Sequence, residues 1–302
     1  MKINLTPKKF ELPTAKLSFP RKYQDADKVK YGRTLVIAGS KNIYGAAFFA
    51  AKSALMSGAG MVRVVTHIRN RLPLTRDIPE AMFSFYGPFI RRKALTDSLK
   101  WADTVVAGPG LSTGHYAKRL LKLTLKHIGK DTILVLDADA LNVLSRSEKL
   151  LKRLISLTKS DFCKCVITPH KGELKRLKKT FKIVDFGDDE ASYHIYNTYK
   201  IYVVRKGGPT VTFGEEVFEN TTGNEGMATA GSGDVLAGIL GGVLFRTKES
   251  PLSLGTSFSV FLHGMCGDLA ASELNSISVN ATDIMKQIPH ALSFIENYGE
   301  TP

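Results

Sequence analysis

The chain alternates short, mainly apolar runs with longer stretches whose apolar positions recur at helical spacing. The runs fall at residues 34–38 (TLVIA), 61–65 (MVRVV), 104–107 (TVVA), 133–136 (ILVL), 166–168 (VIT) and 202–205 (YVVR). Helical patterns lie between them at 45–57, 115–126, 148–157, 173–179 and 188–199. Strands that are apolar on both faces and separated by helices predict a mainly parallel sheet covered on both sides. Each strand ends in glycine or polar residues, and that edge of an open α/β sheet is where ligands sit. The last third reads differently. Residues 211–213 and 216–219 flank Gly214-Glu215 as a hairpin, and helices are predicted at 234–245, 252–273 and 281–297. Residues 1–31 are rich in Lys, Pro and Thr and show no period. They read as an arm over 1–27 leading into one domain over 28–302, with no linker and no internal repeat.

Composition narrows the class. The chain has 302 residues, 43% of them hydrophobic and 23% charged, which excludes a disordered chain and a disulfide-stapled mini-protein. Cys163, Cys165 and Cys266 are too few and too unevenly spaced for a disulfide framework or a zinc site. The longest apolar stretch, 235–245, is interrupted by Gly238, Gly241 and Gly242, so no window approaches a membrane span. The N-terminal residues 1–9 have no apolar core of a secretory signal, and the expectation is a cytoplasmic protein without membrane partners. The net charge of +14 points to anionic partners. The basic run Lys175-Arg176-Leu177-Lys178-Lys179 has no aromatic interleaving and reads as a solvated helix face, so nucleic acid is not an expected partner.

Candidate chemistry concentrates in residues 222–234 (TGNEGMATAGSGD), a small-residue loop that opens directly into an apolar helix. Unpaired backbone N–H groups at such a helix start, with the helix dipole, suit a phosphate or a developing phosphoryl charge. No Gly-Lys-Ser/Thr follows, so this is not a Walker A loop. Asp234 fits two roles, a first-turn acid favoured by the dipole or a base that deprotonates a hydroxyl attacking phosphorus. Lys206-Gly207-Gly208-Pro209-Thr210 follows a strand and fits either a nucleotide contact or a plain turn. Asp137-Ala138-Asp139-Ala140-Leu141-Asn142 and His170-Lys171-Gly172-Glu173 are polar clusters at strand ends. Asn142 and Glu173 are candidates to organise Mg²⁺ through water, and loop or cap hydrogen bonding is the plainer role for Asp137 and Asn142. Residues 40–47 (SKNIYGAA) lack Gly-x-Gly-x-x-Gly, and no Gly-x-Ser-x-Gly elbow is present, so neither a redox nor a hydrolase site has support.

Together, and in order, these strings resemble the ADP- or ATP-dependent NAD(P)H-hydrate dehydratase family of the ribokinase-like superfamily. The matching pieces are Gly39-Ser40 with Gly45-Ala46-Ala47, Gly108-Pro109-Gly110-Leu111, residues 137–142, Thr168-Pro169-His170 with Gly172-Glu173, Lys206-Gly207 with Thr210, and residues 223–234. His263-Gly264 and Ala281-Thr282-Asp283 follow, so the resemblance spans roughly 28–292. It implies a three-layer α/β/α ribokinase-like fold with a mainly parallel central sheet. It implies a lyase that restores NADH or NADPH from the S epimer of the hydrate, phosphorylating the ring hydroxyl with ADP or ATP and eliminating phosphate. By the same resemblance Asp234 is the proton acceptor, and the amides of Ala230, Gly231, Ser232 and Gly233 hold the transferring phosphate. Lys206, Gly207, Gly208, Pro209, Thr210 and Gly233 line the nucleotide site, and Ala46, Gly110, His170 and Asp234 line the hydrate site. Mg²⁺ is the implied cofactor and a homotetramer the implied assembly. The fused epimerase domain common in the family is expected to be absent, and that standalone form favours ADP.

Departures from the family pattern are Ala38 before Gly39-Ser40, Ser112 in place of a glycine, and Lys171 between His170 and Gly172 in place of a proline. Another ribokinase-like small-molecule kinase is the alternative reading.

Overall fold

A computed structural model describes residues 6–20, 25 and 27–299. In chain order the elements are β1 (Lys8–Phe10), α1 (Leu12–Leu17), β2 (Arg33–Ile37), α2 (Gly45–Met56), β3 (Met61–His67), α3 (Arg71–Asp77), β4 (Met82–Tyr86), α4 (Arg92–Trp101) and β5 (Thr104–Ala107). Next come α5 (His115–His127), β6 (Ile133–Leu136), α6 (Asp139–Leu144), α7 (Glu148–Lys159), β7 (Lys164–Ile167), α8 (Lys171–Phe181), α9 (Asp188–Tyr199) and β8 (Ile201–Arg205). β9 (Val211–Phe213), β10 (Val217–Asn220), α10 (Ser232–Val243), α11 (Leu252–Glu273), α12 (Ala281–Lys286) and α13 (Ile288–Glu296) complete it.

The strands form one ten-stranded sheet in the order β1-β10-β9-β8-β7-β6-β5-β2-β3-β4. From β8 to β4 every neighbouring pair is parallel, and β9 is antiparallel to both β8 and β10. Side chains alternate between faces with period two, so each central strand feeds two cores. Leu35 and Ile37 pack with α4 to α9, whereas Val36 and Ala38 pack with α2 and α10. A third cluster under α11, α12 and α13 takes in Phe10 and Phe218. The result is the expected three-layer α/β/α sandwich around a mainly parallel sheet.

Three features differ from the sequence expectation. Residues 8–17 are not a bare arm: β1 pairs in parallel with β10, and Phe10 is 1% exposed against the Phe218 ring. Between residues 65 and 104, β4 extends the sheet, with α3 and α4 beside it. The helix expected over 281–297 is two helices, with Pro289 in the first turn of the second, where its missing N–H costs nothing.

The apolar stretch with three glycines is the interior of α10. A Cβ on Gly238 would fall 2.4 Å from the Ala50 carbonyl oxygen, and one on Gly242 2.5 Å from that of Ala54. The alanine face of α2 (Ala47, Ala50, Ala51 and Ala54, all fully buried) meets that glycine face, so the two backbones lie in contact. Both helices therefore deliver their N-termini side by side to the C-terminal edge of the sheet.

Candidate active site

The chain leaves β2 toward β3 and β4, then returns to place β5 on the other side of β2. Connections that diverge in this way open a crevice at the strand ends. Across it the Gly39 N–H donates to the Pro109 carbonyl at 2.8 Å. Gly110 has φ +60°, and a Cβ there would lie 2.7 Å from the Ala46 Cβ. Ala46, in the first turn of α2, and Gly110 therefore lie in contact across the crevice. Ser112 also sits at positive φ, +59°, held by an N–H bond of 2.7 Å to Asp139 Oδ2, which explains why glycine suits this position.

The N-terminus of α10 lies next to this crevice. Gly231 caps it at φ +92°, and a Cβ there would fall 2.8 Å from the Phe49 ring and 3.0 Å from the Ala281 Cβ. Of the four amides expected to hold a phosphate, that of Ser232 already donates to the Thr229 carbonyl at 3.3 Å. Those of Ala230, Gly231 and Gly233 have no acceptor among the described residues. Asp234, in the same first turn, is partly buried, and its carboxylate accepts no hydrogen bond from any described residue. Burial, reinforced by the negative charge of Asp137, pushes its carboxyl from 3.8 up to about 7, with Lys206 opposing.

Asp137 is the hub of the neighbouring network. It directly follows β6, is 1% exposed, and its Oδ1 accepts from both Lys206 Nζ and Thr168 Oγ1 at 2.6 Å. Gly108 makes room for it, since a Cβ there would overlap the Asp137 carbonyl at 1.8 Å. The next residue, Ala138, is held at φ +49°, ψ −117°, a sparsely populated conformation for a residue with a Cβ. His170 caps α8: its Nδ1 accepts from the Gly172 N–H, and its own N–H donates to Glu173 Oε2, both at 3.0 Å. Glu173 is buried, which raises its carboxyl from 4.5 to about 7 despite that bond. Desolvation and the nearby Lys206 and Arg176 lower the imidazole of His170.

Asn142 is engaged by protein partners: its Oδ1 accepts from Arg176 Nε at 3.0 Å and its Nδ2 donates to Asp139 Oδ1 at 3.3 Å. No three His, Cys, Asp or Glu side chains converge as a metal cage among the described residues.

A cleft of about 1070 Å³ runs from this network past α10. It gathers Lys206, Gly207, Gly208, Pro209, Thr210 and Gly233, expected at the nucleotide, with Ser232, expected at the transferring phosphate, and His170, expected at the hydrate. Ala46 and Gly110 are not in its lining but form the separate contact across the crevice. Nor is Asp234 in that lining, although Ser232 and Gly233 beside it are.

Two supporting residues carry weaker sequence signals. His263 of α11 is buried beneath the α10 N-terminus, with Nε2 3.3 Å from Ser232 Oγ, and burial lowers its imidazole to about 4. Asp268 accepts from Gly223 N–H at 2.8 Å and Asn224 Nδ2 at 2.9 Å, fixing the start of the loop. Both sit inside a long buried helix, where a His or Asp resembles any other interior residue until its partner is known.

A family profile described as NAD(P)H-hydrate dehydratase matches residues 34–290. An ADP-dependent (S)-NAD(P)H-hydrate dehydratase of Listeria monocytogenes is 31% identical, over 93% of this chain and 94% of that one. Another of the same description, from Enterococcus faecalis, is 32% identical over 91% of this chain and 88% of its own length. A ribokinase-like superfamily protein of Enterococcus faecalis, solved as a crystal structure, superimposes with a TM-score of 0.83 at 28% identity, covering 97% of this chain and 99% of that one. On the match over residues 34–290 and these likenesses, the chain belongs to the NAD(P)H-hydrate dehydratase family.

Proposed function

We propose that the protein dehydrates the S epimer of NADH or NADPH hydrate at the expense of ADP, giving the reduced cofactor, AMP and phosphate. The observation that carries the site assignment is a partly buried carboxylate, one turn from three amides, none of which has a hydrogen-bond partner among the described residues. In this reading Asp234 takes the proton of the ring hydroxyl as that oxygen attacks the terminal phosphorus of ADP. The bond from that phosphorus to the bridging oxygen breaks, and AMP leaves with the electron pair. The amides of Ala230, Gly231 and Gly233 point at the charge that gathers on the transferring phosphoryl oxygens. Phosphate then departs from the ring carbon with its bonding electrons. A proton is lost from the adjacent carbon, and the ring double bond is restored. Lys206 and residues 207–210 hold the nucleotide, while Ala46, Gly110 and His170 shape the space for the dihydronicotinamide ring.

The donor set suits Mg²⁺ brought in on nucleotide phosphates rather than held in a protein cage. Glu173, aided by Asp137, is the buried carboxylate that can bind its water shell. Bound there, the ion would neutralise phosphate charge. The family match and the ADP-dependent relatives support this reading over another small-molecule kinase. A cytoplasmic homo-oligomer, a tetramer by the resemblance, completes the reading. No helix among the described residues is long and apolar enough to cross a membrane.

The direct test is to incubate the protein with hydrated NADH and either ADP or ATP and follow the return of dihydronicotinamide absorbance. Recovery with ADP supports the reading, and folded protein that restores nothing with either nucleotide refutes it.

A further inference from the structure

The cleft lining contains two lysines, Lys171 and Lys206, and no arginine. Lys206 is committed to the buried Asp137 at 2.6 Å, so its charge is largely matched by the protein. The two histidines of the lining, His170 and His263, are both displaced toward the neutral form. Lys171 is exposed and has no hydrogen bond or ion pair with any described residue. A polyanionic nucleotide entering this cleft therefore meets one lysine whose charge no protein carboxylate already balances.

Lys171 also borders a second concavity of about 230 Å³, lined further by Lys175, Lys178, Lys179, Val184 and Asp188. Lys171, Lys175 and Lys179 are successive residues at four-residue spacing on α8, so they form one row along a single face. Lys178 is paired with Asp188 at 3.3 Å, whereas Lys175 and Lys179 have no partner among the described residues. The row leads from open surface to the mouth of the nucleotide cleft. A line of unmatched positive charge beside a cleft raises the local concentration and capture rate of an anion.

We propose that Lys171 contacts the phosphates of the nucleoside polyphosphate donor, making affinity depend on ligand charge, and that Lys175 and Lys179 form its approach. The assignment rests on the cleft being the nucleotide site of the proposed reaction.

Calorimetry on the full chain with AMP, ADP and ATP tests it without requiring turnover. Lys171→Gln weakens ADP by about fivefold, weakens ATP more and AMP less, as loss of one charge-assisted contact at an exposed site predicts. The Lys175→Gln, Lys179→Gln double variant slows ADP association at low salt, and the deficit disappears as salt screens the row. Lys122→Gln, the same charge loss on the exposed face of α5, serves as the control and binds as wild type. Equal affinity of Lys171→Gln and wild type for all three nucleotides overturns the proposal. So does an equal loss in the Lys122 control, which would mark a general charge effect. If the wild type binds ADP but restores no cofactor, the reaction assignment fails while the Lys171 result still stands or falls on its own.

Discussion

Replacing Asp234 by Asn separates what the carboxylate does for the reaction from what it costs the fold. Raising this carboxyl from 3.8 to about 7 makes its ionised form roughly 4 kcal/mol less favourable in the folded than in the unfolded chain. The folded value lies above the unfolded one. Hence the penalty is absent below pH 3.8, grows between about pH 4 and pH 7, and is complete above that. Asn removes the charge and so removes the penalty. It also forfeits the favourable meeting of an anion with the α10 dipole, worth about 0.3–1 kcal/mol, and solvent screens part of the gain. The larger effect wins, and at pH 8 the variant is expected to be about 2 kcal/mol more stable than wild type. At pH 4 the two should be nearly alike. Urea unfolding at both pH values reads this directly. Turnover should meanwhile fall by about 10² or more, the scale of general-base catalysis, with ADP affinity close to wild type because the amides are unchanged. A variant less stable than wild type at pH 8, or one that keeps its turnover, would refute the account.

Four further outcomes are expected. Turnover of the wild type should rise with pH through about 7 as Asp234 ionises, and a flat profile across that interval in a pH-rate series would contradict its role as base. Lys206→Met leaves the buried Asp137 without its cation and should lose about 3–5 kcal/mol in urea melts, most of it restored by adding Asp137→Asn. If the double variant is no better than the single, the ion pair is not the cause. Gly238→Val should lower the melting temperature, with a loss of about 1–3 kcal/mol from forcing α10 off α2, and an unchanged melt would show the contact to be loose. Ser112→Gly relieves a positive φ and should hold or raise stability by about 1 kcal/mol, whereas a clear loss would mean the Ser112 side chain matters more than its backbone.

The central strands are legible because each is apolar on both faces, the pattern that only a doubly covered parallel sheet requires. The small-residue loop before α10 is legible because glycine at Gly231 is needed where Phe49 and Ala281 press against the backbone. The edges are harder to read. β1 has three residues and gains its place from β10, more than two hundred residues away, so no local pattern announces it. β4 carries alternating aromatics, Phe83 stacked on Phe85 at 5.6 Å, but lies at the sheet margin. Asp137 is visible as a strand-end acid. Its partners Lys206 and Thr168 come from two other strands, and their meeting is a property of strand order rather than of sequence spacing. The same holds for Asn142, whose partner Arg176 lies on another helix.

The backbone-to-backbone seam between α2 and α10 has a consequence at the far end of the molecule. With Gly238 and Gly242 fitted against carbonyl oxygens, α10 cannot turn about its axis or slide by a residue without a collision. The bearing of its leading acid is thus dictated several turns away, by a stripe of residues that never meet a ligand. Small injuries to that stripe should silence the enzyme while leaving it folded.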